Sequence, residues 1–195
     1  MTDSWIVDAV STTGLAIALA ACAGFRAWMP LLLAGALSRA GLLELGSSFG
    51  FLASDRALAI FGLATVVELL GDKIPTVDHA LDMLSTVLRP AAGAVLAASA
   101  FGRIADPTQS IALGIAIGAP SALVPHVGKA ALRAVSTTVT AGLGNPILSL
   151  VEDVATVVLF ALAVLVPVLV AIVLVSTAVV ILRRLRPRAV AAVSR

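Results

Sequence analysis

Charge is what this 195-residue chain has least of: Asp, Glu, Lys and Arg make up 12% of it, against about 25% in ordinary soluble domains. Apolar residues make up 60%, where roughly 45–50% is usual, and the mean hydropathy is +1.10. That balance argues against a soluble domain. Cysteine is nearly absent as well. Cys22 stands alone in an apolar run, so it forms no intramolecular disulfide and no Cys-based metal site, and reads as a small helix-packing residue. The first ten residues, MTDSWIVDAV, contain Asp3 and Asp8 but no Lys or Arg. A secretory signal needs a basic start and a small-residue cleavage site, so this end is expected to be mature protein. A His-rich pair, a nucleophile-elbow glycine pattern and a phosphate loop are all missing, so the chemistry those motifs carry is not expected. The chain is accordingly read as a non-enzyme with no catalytic residues, metal or cofactor.

Basic residues are not scarce in one place. Arg183, Arg184, Arg186, Arg188 and Arg195 are five of the thirteen, and the other eight face eleven acids. The pI near 9.3 therefore reflects the tail and implies no nucleic-acid partner. A basic cluster just beyond an apolar run is placed in the cytoplasm by the positive-inside rule, where it also meets anionic lipid.

The chain does have long apolar runs, several above the ~18 residues that mark a spanning helix. Ala155 to Leu182 carries no charge. At about 1.5 Å per residue it exceeds a ~30 Å hydrocarbon core, so a tilt or a kink at Pro167 is expected. Punctuation divides the remainder. A helix over about 10–24 should break at GFRAWMP and resume from Pro30 to about 44, and another should run over about 54–72. TVDHALDMLSTVLRP reads as an amphipathic helix capped by Thr76, with Val77, Ala80, Leu81, Leu84, Val87 and Leu88 at 3–4 spacing. An apolar stretch follows over about 89–104. Asp106, Pro107 and Gln109 form a helix start. That helix should break near GAPSALVP and continue to about 141, with Asn145-Pro146 opening the last long helix. The predicted fold is an all-α polytopic helical membrane protein of about six spanning or re-entrant elements, in one transmembrane domain.

Residues 17–37 and 111–132 resemble each other: Ile17-Ala18-Leu19 aligns with Ile111-Ala112-Leu113, Gly24 with Gly118 and Pro30 with Pro125. Each copy precedes an acid pair, Glu68/Asp72 and Glu152/Asp153. Small apolar residues also match by chance. If the likeness is a true repeat, the halves are 10–104 and 107–182, the second is inverted, and 183–195 is a basic cytoplasmic tail. Inverted repeats with broken helices are a recurring transporter plan.

The scarce charge is concentrated. Residues 66–90 hold Glu68, Asp72, Lys73, Asp78, His79, Asp82 and Arg89. Glu68 and Asp72 are four apart and share a helix face. Either they solvate a helix end beside Lys73 and Arg89, or they are buried against a cation and form a site, since intramembrane acids hold ions or relay protons. Asp78 suits the first turn of its helix, and His79 beside it reads as interfacial rather than metal-binding. In the second half His126, Lys129, Arg133, Thr137 and Thr140 form one polar stripe. These bases either neutralise the acids inside a bundle or receive an anion. Glu152 follows Ser149 and Asn145 on one face, whereas the adjacent Asp153 points about 100° away. Glu152 is thus the better candidate of the two. Arg26 and Trp28 are expected to be interfacial anchors, with an Arg at a broken helix closing an ion network as the alternative.

AGFRAWMPLL, VELLGDKIPTVDHALD, LRPAAGA and GNPILSLVED, in this order, resemble the bacterial membrane family known as domain of unknown function 4126. The likeness covers about residues 10–182 and is most specific at Glu68, Asp72, Lys73, Pro75, Asp78 and Asp82. That family has no assigned activity, so the resemblance implies a membrane class and no mechanism. A weaker likeness, as analogy, is to the Gdt-type cation/proton exchangers and their Glu-x-Gly-Asp-Lys-Ser/Thr motif. Here Glu68-Leu69-Leu70-Gly71-Asp72-Lys73 has one residue too many, and Ile74 replaces the hydroxyl residue.

The residues together point to a small inner-membrane transporter or channel-like protein. Glu68, Asp72, Lys73, Asp78, Asp82, Arg89, His126, Lys129, Arg133, Asn145 and Glu152 are its expected polar site. Membrane lipids and an ion, proton or small anionic solute are its expected partners, and a homo-oligomer is left open. The competing readings are a structural or assembly factor and a lipid-acting membrane enzyme.

Overall fold

The computed structural model describes residues 4–71 and 75–185, and within 75–83 it describes the backbone alone. Asp72 and Lys73, the side chains of Asp78, His79 and Asp82, and the tail from 186 onward therefore lie outside the described residues. The described chain is all-helical. Helix α1 spans Ser4–Phe25 and α2 spans Trp28–Arg39; a 3-10 segment, Ser47–Ala53, leads into α3, Asp55–Gly71, and then α4, Pro75–Phe101. The second half runs α5, Pro107–Leu113, a π-helical turn, Gly114–Gly118, then α6, Ala119–Thr140, α7, Asn145–Leu165, and α8, Pro167–Leu185. Four helical stretches are long and apolar enough to cross a membrane, or five if the bent pair Ser47–Ala53 and Asp55–Gly71 counts as one. About six spanning or re-entrant elements agrees roughly with this.

Helix α1 is the axis. Ala16, Ala18, Leu19, Ala20 and Ala23 have no exposed surface, and α4, α6, α7 and α8 all pack around α1. Small residues allow the close approach, because without a hydrophobic driving force between helices in lipid, association depends on tight packing. A methyl group at Gly24 would meet the Ala122 carbonyl oxygen at 2.2 Å and the Pro125 Cβ at 3.0 Å. The two segments related by sequence, around Gly24 and around Gly118–Pro125, therefore touch. In the π turn before α6, Gly114 and Gly118 lie against the backbone of Ala94 and Gly93 in α4.

Several sequence expectations hold. Asp106 Oδ1 accepts from the Thr108 and Gln109 amides at 2.9 and 3.0 Å, capping α5. Helix α6 ends where Ala141 and Gly142 take positive φ. Others need correction. The amphipathic and apolar segments meeting at Pro90 are one helix, α4, which runs through the proline. The expected break at GAPSALVP is also absent: the chain passes through a π turn and straight into α6 with Pro125 inside it. Neighbouring helices and local π adjustments tolerate prolines in this way. At Pro167 the structure goes further than a kink. Val166 leaves the helical region, at φ −141° and ψ 63°, and divides the apolar run into α7 and α8.

Candidate functional site

Helices α6 and α7 are amphipathic inside out. In α6 the buried positions are Ala122, His126, Lys129 and Arg133, while Val127, Leu132 and Val135 are exposed. In α7 Ser149, Glu152, Thr156, Phe160 and Ala163 are buried, while Leu150, Val151, Val154 and Val157 are exposed. Both buried sets recur at 3–4 residue spacing, one helix face each. Water would reverse this pattern; a hydrocarbon environment, where ionisable groups face the bundle interior, requires it.

The interior charges form three stations. At the first, Glu68 on α3 faces the break between α1 and α2, and its carboxylate oxygens accept from the Ala27 amide at 3.1 Å and the Trp28 amide at 3.3 Å. These are orphan donors at the start of α2, where the helix dipole favours negative charge. Arg89 on α4 approaches Glu68 Oε1 at 3.9 Å and His126 Nδ1 at 2.7 Å. A guanidinium only donates, so Nδ1 is the acceptor and the neutral imidazole carries its proton on Nε2. One turn before Glu68, the buried Thr65 Oγ1 makes no hydrogen bond among the described residues.

At the second station Arg26, with no exposed surface, extends from the α1–α2 break to Asp153 at 2.5 Å and to Ser149 Oγ at 2.8 Å. At the third, Glu152 is held by Lys129 Nζ at 2.8 Å and by the Arg133 guanidinium at 3.3 Å. Adjacent acids on α7 thus serve different partners, as their 100° separation demands. Arg26 is not the interfacial anchor expected of it; it closes the ion network. Trp28 stacks on Phe61 of α3, ring centroids 6.1 Å apart.

The structure therefore brings together Glu68, Arg89, His126, Lys129, Arg133 and Glu152, and adds Arg26, Ser149 and Asp153. It places Asn145 elsewhere, at the α6–α7 turn, where its amide donates to Thr137 Oγ1 at 3.1 Å. The α1–α2 break itself was the signal for Arg26, because backbone groups freed at a break attract charged partners. Asp153 carried no signal beyond its acidity, since only the fold turns α7 so that both acids meet a base. No cluster of three or more His, Cys, Asp or Glu suited to a metal occurs among the described residues.

Two cavities bear on the site. One, of about 320 Å³, opens between α2, α3 and α4 and ends at Glu68 and Ser85, with Leu63, Val67 and Leu88 in its walls. Glu152 does not line it. A polar recess of about 740 Å³ lies toward the other end of α1, lined by Asp8, Thr12, Glu44 and Arg103 among others. Between Thr12 and Arg26, α1 is packed dry by Leu15, Ala16, Leu19 and Ala20.

The family described as "Domain of unknown function (DUF4126)" matches residues 13–187. The chain belongs to this family. No curated protein and no solved structure matches it. This chain has a set of apolar helices suited to a membrane and a buried, charge-paired interior.

Proposed function

We propose that this DUF4126 protein is a small, non-enzymatic transporter or channel-like protein of the inner membrane, moving an ion, proton or small anionic solute along the buried charges. The carrying observation is that three carboxylates, Glu68, Glu152 and Asp153, meet four buried bases, Arg26, Arg89, Lys129 and Arg133, inside a bundle whose outer surface is apolar. Each such charge costs about 2.5–3.5 kcal/mol on insertion scales. Apolar side chains of similar size often hold a fold equally well, so a network of this extent suits a pathway better than a scaffold. A carboxylate received at a broken helix start is how broken-helix transporters hold anionic groups.

A structural or assembly role is the second reading. It is favoured by the base beside each buried acid and by the absence of Glu152 from the cavity at Glu68. Flux measurements in proteoliposomes separate the two. Proton, potassium or chloride movement above protein-free vesicles, lost in Glu68→Gln and Glu152→Gln, is expected; wild-type protein with no flux of any of them would leave the structural role. The cytoplasmic C-terminus is tested separately by a reporter fused after Arg195, expected active in its cytoplasmic form and not in a periplasmic one.

A further inference from the structure

The cavity between α2, α3 and α4 has an unusual combination of wall and floor. Its mouth is formed by Ile60, Leu63 and Val67, all more than half exposed on α3, on a surface that is otherwise apolar. Its floor holds Glu68 and Ser85, both about 94% buried at 6% exposure. A carboxylate offers about four acceptor positions, and the backbone amides of Ala27 and Trp28 fill two. The Arg89 guanidinium at 3.9 Å is beyond hydrogen-bond distance. Glu68 therefore retains acceptor capacity at the end of a greasy channel, and the Ser85 hydroxyl beside it makes no side-chain hydrogen bond among the described residues. Buried polar groups with unused capacity in an apolar pocket mark a ligand's polar end.

We propose that this cavity binds the hydroxyl head of a neutral, long-chain alcohol-type lipid that enters sideways from the bilayer, its O–H donating to Glu68 and its oxygen accepting from Ser85. Charge decides among head groups. Glu68 already faces Arg89 and the α2 start, which contributes about half a positive charge, so an ammonium head would meet positive charge beside the carboxylate. A carboxylate head would meet Glu68 itself. At about 320 Å³, and about 30 Å³ per water-sized group, the cavity has room for about ten such groups, the head and the first part of the chain, leaving the remainder in lipid. This site does not rest on the transport reading.

The test uses the full chain in nanodiscs and a long-chain primary alcohol carrying a diazirine near its hydroxyl, beside the corresponding methyl ether, amine and fatty acid. Saturable photolabelling of Leu63, Val67 or Leu88 by the alcohol is expected. The ether should label about five-fold less at equal concentration, the equivalent of one lost hydrogen bond of about 1 kcal/mol. Leu63→Trp, at an exposed position, should fold normally by melting and block the mouth, and Ser85→Ala should weaken labelling, while Val157 on α7 serves as a lipid-facing control. Equal labelling by the ether, preference for the amine, or indifference to Leu63→Trp would each overturn the proposal. Alcohol labelling without any flux would leave it standing while the transport reading fell; flux without labelling would do the reverse.

Discussion

Glu68 and Glu152 are both buried acids, Glu68 on the helix after the α1–α2 break and Glu152 on the helix after the continuous α5–α6 stretch, and they are stabilised by different means. Glu152 is clamped by two full positive charges, Lys129 and Arg133, both from α6. Glu68 is held mainly by two backbone amides at a helix start, with Arg89 standing off at 3.9 Å. The difference follows from the preceding helix. Where the chain breaks at Arg26–Ala27, backbone donors are released and can receive an acid directly. Where it passes through a π turn without breaking, the backbone is consumed internally, and side-chain bases must do the work. A broken helix thus yields a loosely filled station beside a cavity, and an unbroken one yields a locked station.

Arg26 ties the break to α7, and its loss should have the largest effect. Arg26→Met removes a fully buried base from the partly buried Asp153 and should cost about 3 kcal/mol, the low end for broken buried pairs. Thermal melting in detergent should show a large drop, partly recovered by adding Asp153→Asn. A melt like the wild type's would mean that the pair contributes nothing.

Neutralising each acid in turn should have unequal effects. Glu152→Gln strips two buried cations of their shared carboxylate and should cost about 3 kcal/mol. Glu68→Gln keeps an amide oxygen for the Ala27 or Trp28 amide and should cost nearer 1 kcal/mol. Equal losses in parallel melts would erase the distinction between a locked and a loose station.

Glycines test the contact between the two halves. Gly24→Ala drives a methyl against the Ala122 carbonyl and should destabilise by about 1–3 kcal/mol through overpacking. Gly128 in α6 has open space around its position, so Gly128→Ala should stabilise by about 0.4–1 kcal/mol by restricting the unfolded chain. The smallest effect is one of access. Single cysteines at Ala27 and Ala122, with Cys22 replaced, sit at positions 2% and 0% exposed and should react slowly with water-soluble thiol reagents. Fast labelling of both from one side would place these segments at a surface.

Much of the fold was legible because its signals are local. The break after Phe25 follows from GFRAWMP, the start of α5 from Asp106-Pro107, and the end of α6 from the glycines before Asn145. The errors share one cause. Pro90 and Pro125 are strong breakers in isolation, but inside a packed bundle the alternative to a continuous helix is a set of unsatisfied backbone groups in an apolar medium. Tertiary packing overrode the local preference. In the site, the stripe His126, Lys129, Arg133 was visible by spacing alone, as was Glu152. The assignment of Arg26 to Asp153, and of Glu68 to backbone amides, was not, because those partners lie 127 and about 40 residues apart in the chain.

Composition and periodicity by themselves determined that this chain is a bundle of apolar helices with its few charges gathered on helix faces, because burial in lipid leaves charge no other place to go. Which acid meets which base, and which acid is left with unused acceptor capacity beside a cavity, was decided only when α1 packed against α4, α6 and α7. Ion pairing requires approach within a few ångströms, and that is a property of helix docking rather than of residue order.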